Sequence, residues 1–116
     1  MPAQKHVSYE ITISDKSFET IAKAIFRLSI KKGCFVKLKD VVEYAFEHGA
    51  QNDDQAIYAF ERNLPVEGET RLFLRVNSSL SKRIEDLKTI LGEKLEHACA
   101  VREAIVFCAF WVSANA

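Results

Sequence analysis

The residues able to carry nucleophilic or metal chemistry are few here, and their spacing argues against both. Cys34, Cys99 and Cys108 are odd in number and show no CxxC spacing, so neither a disulfide framework nor a zinc site is expected. They read as small apolar residues. His6, His48 and His97 are scattered, with no HExxH, no GxSxG turn and no glycine-rich phosphate loop near them. These absences predict no catalytic residue, no metal, no cofactor and no small-molecule substrate, and hence no enzyme. The chemistry that remains is that of guanidinium groups. Arg71 and Arg75 lie in RLFLRV, whose alternation places both on one side of a strand with Phe73 between them. Each presents a planar fork of N–H donors suited to bidentate recognition.

Such side chains need elements to position them. VSYEITIS alternates strictly, with Val7, Tyr9, Ile11 and Ile13 on one face and Ser8, Glu10, Thr12 and Ser14 on the other, which predicts a half-buried strand. Ser14 or Asp15 then caps a helix with an apolar stripe of Phe18, Ile21, Ala22, Ile25, Phe26 and Leu28, ending near Gly33. A second helix, roughly 36–48, turns Leu38, Val41, Val42, Ala45 and Phe46 inward and ends at Gly49. From residue 70 the order returns. A strand bearing Leu72, Leu74 and Val76 is followed by a helix capped by Asn77, Ser78 or Ser79, carrying Leu80, Ile84, Leu87, Ile90 and Leu91 and ending near Gly92. The last helix, from about Cys99 through VREAIVFCAFWV, is apolar nearly all round and should be the most buried.

Sliding the chain on itself by 63 residues superposes the two patterns without a gap. Tyr9, Ile11 and Ile13 fall on Leu72, Leu74 and Val76; Ile21 falls on Ile84 and Leu28 on Leu91; Lys39 and Asp40 fall on Arg102 and Glu103. The chain therefore divides into a first copy at 7–49, an acidic spacer with a short helix at 50–69, and a second copy at 70–113, within one domain spanning 1–116. Asp53 or Asp54 caps the spacer helix, which bears Ile57, Tyr58 and Phe60, and Pro65 with Gly68 marks its exit. One strand with two helices cannot satisfy its backbone or bury its apolar face alone. Two such units can, by pairing their strands antiparallel.

Strand, helix, helix, twice over, resembles the ribbon-helix-helix superfamily of the Arc and MetJ type, and the fused arrangement is similar to the tandem TraY-type proteins of conjugative relaxosomes. The pattern covers about 85 of the 116 residues. VREAI looks like the opening of that family's second helix, and KLKDVV fills the same place in the first copy. The resemblance implies an α+β, mostly helical fold, a tandem pseudo-dimer with one two-stranded ribbon and about five helices. It implies sequence-specific binding of double-stranded DNA, with the ribbon in the major groove and the start of the second helix at phosphate. The role would be a transcriptional regulator, such as a repressor, or a plasmid-transfer accessory factor. On that basis Arg71 and Arg75 address guanine N7 and O6, Phe73 a thymine methyl, Ser8 and Thr12 make single hydrogen bonds, and Glu10 accepts from cytosine N4. Lys37, Lys39 and Arg102, at the starts of the two second helices, would meet phosphate. The plainer alternative for the arginines is the solvated face of an amphipathic strand, and for the helix-start cations ordinary solubilising charge.

Composition permits this partner without naming it. Hydrophobic residues are 48% and charged residues 28%, the balance of a folding globular domain. Net charge is zero, yet it is unevenly distributed. Residues 1–39 hold eight Lys/Arg against three acids, residues 40–70 one against eight, and residues 71–116 seven against five. An acidic middle thus masks two basic ends. MPAQKHVSYE has no apolar stretch behind its lysine, and no run approaches the roughly 18 residues of a membrane span, so a cytoplasmic protein is expected. The rival reading is a protein-binding adaptor or antitoxin-like module on the same fold, drawing on the zero net charge, Glu10 and the tail FCAFWV, where Phe110 and Trp111 would cover another subunit. Self-association into a dimer of pseudo-dimers is also expected, since one ribbon reads only a short site.

Overall fold

The computed structural model describes residues 5–116. MPAQ, which entered the argument against a leader, lies outside the described residues. The alternating segments form β1 (His6–Ile13) and β2 (Thr70–Asn77), which pair antiparallel as a two-stranded sheet. The helices are α1 (Asp15–Lys32), α2 (Leu38–Glu47), a short α3 (Asp54–Phe60), α4 (Ser78–Leu95) and α5 (Val101–Asn115). The fold is α+β and mostly helical. In the ribbon Glu10 stands directly opposite Phe73, and these are the two residues that the 63-residue offset superposes. Ile11, Ile13, Leu74 and Val76 point into the core.

Local chemistry sets the helix starts. Ser14 Oγ accepts from Ser17 N at 3.1 Å, Asn77 Oδ1 from Leu80 N at 2.8 Å, and Asp53 Oδ1 from Ala56 N at 3.1 Å. Each satisfies one amide that lacks a partner within its helix. α1 closes on Gly33 in the left-handed region, φ 70°, whose N–H reaches the Ser29 and Ile30 carbonyls. α4 does not stop at Gly92 as expected. It continues to Leu95, and Glu96 takes the left-handed position. Leu95 is buried one turn beyond Leu91, so burial prolongs the helix past its glycine.

α5 is the centre of the molecule. Seven consecutive residues, Glu103 to Ala109, are buried, and the helix packs against α1, α2 and α4. Each fully buried large apolar side chain contributes about 1.5–3 kcal/mol. The spacer docks on it: Phe60 lies 5.4 Å from Phe107 and 5.5 Å from Phe110 between ring centroids. Trp111 Nε1 donates to Asp53 Oδ2 at 2.9 Å. This corrects the expectation that Phe110 and Trp111 cover another subunit, because Trp111 is buried within its own chain and Phe110 is half-buried against Phe60. At the spacer's exit a Cβ on Gly68 would fall 2.4 Å from Ser14 Cα, so only glycine fits where the chain crosses the end of β1.

The α1 stripe is also corrected. Ile21, Ala24 and Leu28 are buried, with Ser17 beside them, whereas Phe18, Ala22 and Phe26 are exposed. The inner row follows the spacing 17, 21, 24, 28, with Ile25 half-buried against the core at its edge, and Phe18, Ala22 and Phe26 lie outside it.

Candidate nucleic-acid interface

All six outward ribbon residues are exposed. Ser8 faces Arg75, Glu10 faces Phe73, and Thr12 faces Arg71 across the strands. Phe73 is 69% exposed at the centre of this surface, where an aromatic ring has no core to bury it. Arg71 is not independent: its Nε lies 3.0 Å from Glu10 Oε1, a diagonal cross-strand pair. Both partners are exposed, so the pair contributes at most about 1 kcal/mol. Its effect on charge is larger, because it cancels one of the ribbon's two guanidiniums. Arg75 forms no ion pair among the described residues.

Each side of the ribbon borders a groove against the start of a second helix. The first groove, about 570 Å³, lies between β2 and the start of α2 and is lined by His6, Lys37, Lys39, Phe73 and Arg75 among others. No carboxylate lines it. The Asp40 carboxylate accepts from Lys37 N at 2.8 Å, capping the helix with a backbone contact that leaves both lysine ammonium groups in solvent. The first-turn amides of Leu38 and Lys39 come too early for an i−4 partner within α2, and the helix dipole adds positive potential there.

The second groove, about 560 Å³, lies between β1 and the start of α5 and is lined by Glu10, Thr12, Lys88, Cys99 and Arg102 among others. Its cations are engaged. Arg102 Nε donates to Glu103 Oε2 at 2.9 Å and another guanidinium nitrogen donates to Glu67 Oε2 at 3.3 Å. Buried Glu103 also accepts from Ala100 N through its other oxygen. Lys88 Nζ sits 2.8 Å from Glu85 Oε1, a contact that raises its pKa through the hydrogen bond first and the carboxylate's charge second. Tyr9, bonded to Ser81 and Glu85 beneath this side of the ribbon, has its hydroxyl pKa raised mainly by burial.

The structure therefore brings Arg75, Phe73, Lys37 and Lys39 together, and holds Glu10, Arg71 and Arg102 in ion pairs. Ser8 and Thr12 stay on the outward face. His6, scattered when read along the chain, joins the first groove because the register seats it opposite Asn77; only strand pairing reveals this. Lys94 is held 3.0 Å from Asp54 on the spacer helix. Among the described residues no group of three His, Cys, Asp or Glu is arranged to hold a metal ion, and no helix is long and apolar enough to cross a membrane. No family model matches the chain, nor does any curated protein or solved structure.

Proposed function

We propose that this chain is a tandem ribbon-helix-helix pseudo-dimer that binds double-stranded DNA as a regulator or plasmid-transfer accessory factor, not an enzyme. β1 and β2 enter the major groove, which is wide enough for a two-stranded ribbon. Arg75 reads a base edge beside Phe73, while Lys37, Lys39 and the start of α2 hold the adjacent phosphates. The observation that carries this reading is the first groove, where four cationic or titratable side chains converge beside an exposed aromatic with no lining carboxylate. Arg102 and Arg71 become secondary contacts, released from their carboxylates only when a phosphate or base replaces them.

Selection of bound fragments from random duplex DNA, repeated at two salt concentrations, tests the proposal. A recovered consensus is expected. Lys37→Ala and Lys39→Ala should each weaken binding uniformly across sequences and reduce the salt slope by about 1. Failure to retain any duplex at low salt would transfer the function to the rival reading, a protein-binding module on the same fold. Glu10 is the observation favouring that rival, since it sits at the ribbon centre where it repels phosphate.

A further inference from the structure

An antiparallel ribbon with identical strands would show DNA the same residues twice, related by a two-fold axis, and such a body reads a palindrome. The two strands of this ribbon are not alike. About the central pair Glu10 and Phe73, Ser8 and Arg71 stand two residues before the centre of their strands, and Thr12 and Arg75 two residues after it. Each outward position that a two-fold axis would equate thus holds different chemistry: hydroxyl against guanidinium twice, and carboxylate against aromatic ring at the centre. Both arginines lie on β2, and the carboxylate lies on β1.

The flanks differ in the same sense. β2 borders the groove of Lys37 and Lys39, and neither lysine, nor Arg75, forms an ion pair among the described residues. β1 borders the groove of Arg102 and Lys88, which are held by Glu67, Glu103 and Glu85. Arg71 is tied across the ribbon to Glu10. The cations left free, Arg75, Lys37 and Lys39, therefore all lie on the β2 side.

The major groove is about 12 Å wide, with one backbone along each wall, whereas paired β-strands lie only about 4.8 Å apart. Each strand of an inserted ribbon is thus nearer one wall, and the helix start beyond it is nearer that wall's phosphates. We propose that the DNA site is directional, an inference that rests on the DNA-binding reading above. One DNA strand lies along β2, with a guanine at Arg75 and phosphates at Lys37 and Lys39, and the other, along β1, is held by few contacts. The target is then a short non-palindromic sequence on which every chain loads in one orientation.

Selection from random duplex DNA gives the site, and duplexes carrying one neutral methylphosphonate at a time, placed along each strand in turn, test the proposal. The consensus should lack two-fold symmetry. Losses of about fivefold per contacted phosphate, the counterion-release value near about 0.15 M salt, should fall mainly on one strand. Lys37 and Lys39 are exposed, so the Lys37→Ala, Lys39→Ala double variant should keep its circular dichroism. In it the same methylphosphonates should cost less than about twofold, because a contact already removed cannot be lost again. A palindromic consensus, or equal losses on both strands, overturns the proposal and leaves DNA binding standing. So does a one-sided pattern that persists undiminished in the double variant, since the grip would then lie elsewhere. Failure to retain any duplex at low salt overturns this proposal together with the function it rests on.

Discussion

The grooves on the two sides of the ribbon have nearly equal volume, about 570 and 560 Å³, but the cations of the second are held in ion pairs and those of the first are not. Corresponding cations stand at the helix starts, Lys39 in one and Arg102 in the other. Their neighbours decide what each can do. Asp40 is short, and its carboxylate caps the Lys37 amide. Glu103, one methylene longer, caps Ala100 with one oxygen and holds Arg102 with the other, and the spacer adds Glu67. On the ribbon, Arg75 stands opposite Ser8 while Arg71 is paired with Glu10. Two grooves of like size can thus carry unequal sites, because the framework depends on apolar spacing and the site depends on which carboxylates come within reach.

The largest effect expected on the comparison between halves concerns stability. Phe107 and Tyr44 correspond at the 63-residue offset, but Phe107 is wholly enclosed and Tyr44 lies at the edge of the core, stacked on His48. Phe107→Ala should destabilise the chain by about 3–5 kcal/mol and Tyr44→Ala by less, measured by urea unfolding. Equal losses would mean that α2 and α5 share the core evenly.

Next in size is the difference between the ribbon arginines. Arg75→Ala should weaken specific DNA binding by roughly 1–3 kcal/mol. Arg71→Ala should weaken it less, because the Arg71 guanidinium is already engaged by Glu10 and must leave it to reach a base. Fluorescence titration on one selected duplex gives both values, and matching losses would break the comparison.

Glu10→Gln should abolish the pairing while keeping the side chain's shape, freeing Arg71. Binding to random DNA should then strengthen and its salt slope steepen by about 1, the value for one further phosphate contact. An unchanged slope would leave Arg71 away from the backbone even when free.

The smallest change is expected from Glu67→Gln, which removes one of the two carboxylates on Arg102. Stability should move by less than about 1 kcal/mol, as for other exposed pairs. Salt-dependent binding should rise slightly while Glu103 still holds the guanidinium. A rise as large as that from Glu10→Gln would make Glu67, not Glu103, the residue that silences the second groove.

The elements were legible in the sequence because their causes are local. Strict alternation around Ile11 and Leu74 made the strands, and side-chain oxygens at Ser14, Asp53 and Asn77 cap amides three residues ahead. The 63-residue offset superposes Glu10 on Phe73 as it does every other pair, and only the strand register sets these two opposite each other. Where reading along the chain failed, the deciding contact lay far away. Two apolar rows on α1 look alike in sequence, and only the position of α5 makes Ile21 inner and Phe26 outer. Trp111 looked available until Asp53, 58 residues earlier, accepted its indole N–H. That Arg102 is held by Glu67 as well as by its neighbour Glu103 depends on where the spacer passes. Periodicity and capping act within a few residues and determine which elements form. The availability of a charge or an apolar face depends on distances between elements remote in the chain, and those only the tertiary structure decides.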